Sequence, residues 1–449
     1  MAAVTQTIPT FLGGVSKQID SKKKPGQVRE SINTLPDATF GLMKRPGTEY
    51  IESLSTSALP NAKWFYIHRD GDEQYIGRIS TGSPGNIAIW NAVSGTACDV
   101  YYDAAPWTAD TAYIVGDKVT NDSGKIYQCD TAGTSASSGG PTGTGTDITD
   151  NTAQWDYVSG PTAQSYLQPA ALEPDKPNIN YDLLTVQDTT FITNKNKIIT
   201  TRTAPAFTAG KKATIRLLTV RYGAKYNVKI DSSTTSGGDA DPTRLNDPTD
   251  EGTVLLNTKE ILTALKGRIE ALGTGIAVTQ LDSTLELEHS SAFTIESIDD
   301  SGNANLEVFQ EQVNTVADLP AQSYHDRLVK IINTADNQTT YWSKFVAEDG
   351  DRGRGYWEET VDPTVSPGLT GSTMPHELKN TDKNEFIFKE IAWKDRLVGD
   401  DETNEHPSFA KTGDRTIQQV FLHNNRLGFL TEDNVSISKS QDYYNFYFT

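Results

Sequence analysis

"NNRLGFLTEDNVSISKSQDYYNFYFT", residues 424–449, sets one short strand against another across a polar turn. Apolar residues mark RLGFL and alternate with polar ones in VSISKS, and TEDN between them carries the Asp-Asn chemistry of a hairpin turn. A lone two-stranded hairpin is marginal in water, so this stretch has to belong to a larger sheet. The same rhythm precedes it in QVFLH and returns in "YDLLTVQDTTFITNKNKIITT" (181–201), where QDTT and NKNK read as turns. It recurs in KWFYIHR, EQYIGRIS, NIAIWNA and ACDVYY between 63 and 102, which read as an antiparallel meander. Short strands with Gly, Asp and Asn punctuation predict a mainly β chain with a β-propeller-like scaffold.

Working outward, the 449 residues divide into six segments. Residues 1–62 form an N-terminal platform, 63–102 scaffold strands, 103–160 a small β module, and 161–210 further scaffold strands. Residues 211–346 read as an inserted α+β domain, and 347–449 as a turn-rich return to the scaffold. The α+β domain holds one convincing helix, "NTKEILTALKGRIEALG" (257–273). Ile261, Leu262, Leu265, Ile269 and Leu272 share a face, Asn257 with Glu260 resembles a capping box, and Gly273 is placed to stop the helix.

Lys plus Arg number 40 against 59 Asp plus Glu, a net charge of −19. That balance disfavours sequence-reading contact with nucleic acid. The first 50 residues differ, with seven basic side chains against four acids; SKKKPGQ there reads as a solvated turn or a contact for an acidic partner. No run of 18 apolar residues is present, so no membrane span is expected, and the N-terminus lacks the layout of a secretory signal. The two cysteines, Cys98 and Cys129, are expected to be free thiols.

A search for catalytic signatures is negative. The histidines at 68, 289, 325, 376, 406 and 423 are scattered, and no nucleophile elbow, phosphate loop or zinc spacing occurs. "EDGDRGRGYWEET" (348–360) gathers Asp349, Asp351, Glu358 and Glu359 but fails the calcium-loop frame at Gly353 and Thr360. It reads as a solvated loop. No catalytic residue, metal or cofactor is expected.

"APWTADTAYIVGDKVTNDSGKIYQC" with the later AQWDYV is more specific. Its segment, 103–160, carries eight Asp and two Lys and includes the tract TAGTSASSGGPTGTGTD. The spacing of Trp107, Tyr113, Gly116, Asp117, Val119, Gly124, Tyr127 and Trp155 resembles small chitin-binding-type carbohydrate-binding modules. Two readings stay open for Trp107, Tyr113, Tyr127 and Trp155: the core of a small domain, or a face that contacts glycan.

The two ends carry the broadest likeness. "FLGGVSKQIDSKKKPGQVRESINTLPDATFGLMKRPGTEYI" (11–51) holds Gly13, Gly14, Val15, Ser16 and Gln18, then Gly41, Leu42, Lys44, Arg45 and Pro46. Phe191, Ile192 and Asn194 follow, then MPH (374–376), PSF (407–409), Asn425, Arg426 and Gly428 in NRLGFL, and the tail YYNFY. These elements, in this order, resemble the tail tubular protein B family, the nozzle proteins of short-tailed bacteriophages, over nearly the whole chain apart from 103–160. The resemblance implies a structural, non-enzymatic part of the virion tail, assembled in the host cytoplasm as a homohexameric ring around the DNA-ejection channel. It implies a tail adaptor or gatekeeper protein near the N-terminal KRPG region, and a tail fibre protein or a neighbouring subunit docked on 211–346. DNA would pass through without sequence recognition, and a host surface glycan is a further candidate partner. Family members continue about as long again, so the final hairpin is expected to find partner strands beyond Thr449. The rivals are a capsule-polysaccharide-binding or depolymerising tail protein with a propeller body, and a monomeric lectin-like adhesin.

Overall fold

Arg426–Leu430 pairs antiparallel with Val435–Ile437 on one side and with Gln419–His423 on the other. The second strand is shorter than VSISKS suggests: Ser438 N still donates to Leu427 O at 2.8 Å, but Leu427 N turns to the Ser438 hydroxyl at 3.0 Å instead of its carbonyl. Asn424 and Asn425 hold φ of 48° and 55° between the first two strands, the left-handed pair that a tight hairpin turn requires. These strands belong to a computed structural model that describes residues 10–50, 53–54, 62–80, 85–160, 162–168, 180–220, 226–232, 257–298, 304–332 and 340–448. Its compact units are Met1–Ala58 and Leu59–Thr449.

Leu59–Thr449 is mainly β. Tyr181–Val186 and Thr189–Asn194 form a hairpin whose turn is only Gln187 and Asp188, so both threonines of QDTT are strand residues. Their sheet continues through His376–Asp382 and Glu385–Glu390 to Asp99–Tyr102. This last strand corrects the four-strand meander. Ala62–His68, Gln74–Ser80 and Asn86–Asn91 form one antiparallel sheet, but Asp99–Tyr102 leaves it to run parallel to Glu385–Glu390. Asn91 sets that exit: its side chain caps Val93 N and Ser94 N and donates to Asn384 Oδ1 at 3.0 Å. Tyr75, Ile79, Ile89, Ile192 and Phe388 pack the two sheets together.

The helix spans Thr258–Ala271 and buries Ile261, Leu262, Leu265 and Ile269. Asn257 accepts from Glu260 N at 2.9 Å, while Leu272, expected on the apolar face, is the exposed C-cap. The helix covers a four-stranded sheet ordered Ala277–Gln280, Thr284–Glu288, Lys212–Leu217, Leu306–Phe309. Residues 233–256 of the expected 211–346 domain lie outside the described residues. A second sheet does not stop at 346, since Tyr341–Ala347 pairs along its length with Arg352–Thr360. The expected solvated loop at 348–360 is therefore a turn followed by a nine-residue strand. Alternation explains it: Trp357 packs edge-on to Phe345 at 5.1 Å while Tyr356 faces outward, 58% exposed.

Residues 105–159 form a five-stranded sheet ordered Ile148–Asp150, Ala153–Ser159, Lys125–Thr131, Lys118–Asn121, Ala105–Pro106, with a small two-stranded sheet. The chain enters and leaves at one point. Asp103, at φ 69°, accepts from Thr162 N at 2.7 Å, Thr162 Oγ1 at 2.9 Å and Ala163 N at 3.0 Å.

In Met1–Ala58, Thr34–Asp37 pairs with Gly41–Lys44. Gly13 N donates to Gly26 O and Val28 N to Gly14 O, each at 2.9 Å. The lysine run makes the short 3-10 turn Asp20–Lys22, with Lys23 paired to Asp20 at 2.7 Å.

Candidate functional site

The four aromatics singled out by spacing come together in the 105–159 sheet. Tyr127 and Trp155 are 0% exposed, and Trp107 and Tyr113 are half-buried around them. Tyr113 meets Trp155 edge-on at 4.8 Å. Asp150, which the sequence reading missed, is the hub. One oxygen accepts from Trp107 Nε1 at 2.7 Å and Trp155 Nε1 at 3.0 Å, and the other from Ala136 N at 2.9 Å. A buried carboxylate is tolerated where donors surround it. Its one signal in sequence is the tight ITDNTA turn leading into AQWDYV, which returns Trp155 over the acid.

The Gly/Ser/Thr tract is a lid over these rings. Ser135, 0% exposed, donates to Thr108 O and accepts from Thr111 N. Asn121 Nδ2 donates to Gly139 O at 2.8 Å and Pro141 O at 3.0 Å. Gly140 lies against Trp107 so closely that an added Cβ would come within 2.7 Å of the ring. Burial and the Asp122 carboxylate push the Tyr127 phenol up to about 12, and its hydroxyl donates to Gly143 O at 2.9 Å. The indole and phenol hydrogens of this set are thus largely used inside the sheet. Only Trp107 and Tyr113 keep surface for an outside ligand.

The carboxylates of Asp130, Asp147 and Asp156 offer oxygens within 4.8 Å of one another. Oxygen donors suit a hard cation, which takes six to eight of them; three, with Asp130 and Asp156 half-buried and Asp147 exposed, do not define a centre. Two acids of 348–360 pair with neighbours instead, Asp351 with Arg352 at 3.0 Å and Glu358 with Lys344 at 3.3 Å. Glu359 lines a cavity of about 540 Å³ with Lys330, Trp342, Asp362, Asp400 and Thr403. Asp362 and Asp400 each commit an oxygen to their own turns. His376, from MPH, stacks on Tyr166 at 4.0 Å, and burial lowers its pKa to about 4, so it is a neutral core group. Cys98 and Cys129 are free.

The motif residues at the two ends sit differently. Gly13, Gly14, Gln18, Lys44, Arg45 and Pro46 are exposed. Arg426 Nη1 donates to Ser438 O at 3.1 Å and Gln441 N to Asn425 O at 2.9 Å, which ties the terminal sheet to the aromatic tail. Gly428 stands opposite Phe421, whose ring occupies the place of a side chain: an added Cβ would fall 2.2 Å from it. The 62–91 sheet repeats this arrangement with Phe65 over Gly77, also at 2.2 Å.

Comparison with known proteins bears on the whole chain. The profile of the bacteriophage nozzle protein family matches residues 1–122 and 139–449. The unmatched stretch, 123–138, is narrower than the expected 103–160 gap. Tail tubular protein gp12 of Escherichia phage T7 is 24% identical over 458 residues, covering 100% of this chain and 48% of that protein. The chain therefore spans about half the length of that relative.

Proposed function

The chain belongs to the bacteriophage nozzle protein family, and from that premise we propose that it is a structural component of a phage tail. It builds the wall of the DNA-ejection channel as one subunit of a homohexameric ring in the virion tail. Its β scaffold is propeller-like, the N-terminal segment meets the adaptor, and 211–346 receives a tail fibre. A chain with 59 acids against 40 bases suits a wall along which DNA slides without adhering.

The observation that carries this reading is the state of Met1–Ala58. Gly26 is its one buried residue among those described. Phe11, Val15, Ile19, Ile32, Phe40 and Tyr50 are 46–77% exposed. Apolar side chains gathered in this way, with no core among the described residues of the segment, support covering by neighbouring subunits. Glycan contact by 103–160 enters the proposal only through Trp107 and Tyr113.

Cryo-electron microscopy of the native particle tests it. The expected result is six copies around an axial channel, with residues 1–58 between subunits or against the adaptor. A copy at a fibre tip, or a monomer with a sugar-sized cleft, would overturn it. Deleting 211–360, which removes the second sheet whole together with 211–346, should impair fibre attachment more than ring formation; fibres retained on the deletion would remove the docking assignment.

A further inference from the structure

The strand Thr284–Glu288 is buried on both faces along its first four residues. Leu285 and Leu287 face the helix. Thr284 and Glu286 face the other way, toward the second sheet, and Glu286 is 0% exposed there. Its two oxygens reach two different elements. Oε2 accepts from Thr214 Oγ1 at 2.9 Å within its own sheet, and Oε1 from Ser323 Oγ at 3.2 Å on Gln322–Tyr324 of the second sheet. Gln322 and Asp282 exchange a reciprocal pair of hydrogen bonds at 2.7 and 3.1 Å beside it. Arg216 Nη1 donates to Ala317 O at 3.0 Å across the same joint.

The charged groups around Glu286 come from both sheets. Arg327, 3% exposed, and Lys212 attract it through space rather than by a hydrogen bond. Arg327 also feels Glu288 and Glu311, and donates to Gln310 O. Tyr324 lies under Lys212 and Arg352 at 5.6 and 5.5 Å. At the rim, Arg216 pairs with Glu307 at 2.6 Å, Lys212 with Glu288 at 3.3 Å and Arg354 with Asp282 at 3.9 Å. Each of these three rim acids has a cation beside it. Glu286 is hydrogen-bonded to hydroxyls alone, and burial, which favours the protonated carboxyl, outweighs the pull of those hydroxyls and of Arg327.

We propose that Glu286 is a proton-operated latch between the helix-bearing sheet and the second sheet: the neutral carboxyl closes the joint, and ionisation loosens it. Neutral, the acid donates to one hydroxyl while accepting from the other and brings no negative charge of its own into the joint beside the buried Arg327. Ionised, it places a full negative charge between two sheets with no cation in contact, which favours an opened joint that water can enter. Burial pushes the group up to about 7, against the opposing pull of Arg327, Thr214, Ser323 and Lys212.

The sign follows. The carboxyl titrates higher closed than open, so closure is fully favoured below the ordinary glutamate range and weakens as pH rises. The opening constant grows about tenfold per pH unit up to the closed-state value near 7, then levels off. The latch acts on the sheet proposed to receive a fibre but does not depend on that role.

Hydrogen exchange of the full chain between pH 5 and 8, corrected for intrinsic rates and read at 284–288 and 322–324, tests the latch. Glu286→Gln keeps the shape and cannot ionise. Relative to this variant, the wild type should lose protection about tenfold per pH unit from 5 toward 7. The difference between the two removes every other titrating group, His325 included. Identical profiles would overturn the proposal. Ser323→Ala provides a second reading: losing a donor that favours the ionised form should move the transition to higher pH, and an unmoved transition would also overturn it.

Discussion

Residues 1–58 and residues 105–159 are about equally rich in sequence motifs, yet the chain treats their apolar side chains in opposite ways. In 105–159, Val119, Tyr127, Cys129, Ala153 and Trp155 are nearly or fully closed off, and Asp150 ties two indoles and the tract together. In 1–58, Phe40, Tyr50 and Ile32 stand 67–77% exposed. The first region closes an aromatic core of its own, although Ile114 and Val115 stay 69% and 62% exposed; the described residues of the second close none. Spacing alone does not separate the two cases, because a motif records which side chains recur and not which of them are covered.

Substitution at Trp155 should break the comparison most severely. Trp155→Ala removes a fully buried indole and a hydrogen bond to Asp150, at a cost of about 3–5 kcal/mol to the 105–159 fold. Urea denaturation followed by fluorescence should show that region melting early while the other sheets hold. A loss below about 1 kcal/mol would mean the aromatic set is not a core. Gly140→Ala is expected to cost less, about 1–3 kcal/mol. The new Cβ meets Trp107 and Asn121 at 2.7 Å, at a backbone φ of +70° that favours glycine. It should lift the lid and expose Trp107 to collisional quenchers. Unchanged quenching would show that the tract does not cover the ring, and would revive a glycan face there.

What the sequence made legible was local. Alternation placed RLGFL and its partners because a strand's period shows in five residues, and helical spacing with Asn257 and Gly273 placed Thr258–Ala271. Long-range covering was not legible. In LELEH leucines alternate with glutamates, but only Glu288 is exposed, because Ser323, 37 residues on, closes over Glu286. Asp99–Tyr102 reads as a fourth meander strand, but its partner, Glu385–Glu390, lies far along the chain. The four module aromatics were legible as a set, and Asp150, which decides what they can do, was not.

Phe40 carries the smallest expected change in stability and the sharpest test of the comparison. It sits at the tip of the hairpin between Thr34–Asp37 and Gly41–Lys44, where Asp37 Oδ1 accepts from Thr39 N at 2.7 Å and Phe40 N at 2.9 Å. That side chain-to-backbone turn fixes the loop without the ring, which stands 75% exposed. Phe40→Ser should therefore change the stability of the isolated chain by no more than about 0.5 kcal/mol. If a neighbour covers the ring in the assembled tail, the same substitution removes about 1.5–3 kcal/mol of burial at each contact. Association would weaken by tenfold or more, readable by mass photometry over a concentration series. A large loss of monomer stability would place Phe40 in the chain's own packing and erase the difference between the two regions. Unchanged stability with unchanged association would leave the ring uncovered in the assembly, and the segment's exposed apolar side chains would no longer support a subunit interface.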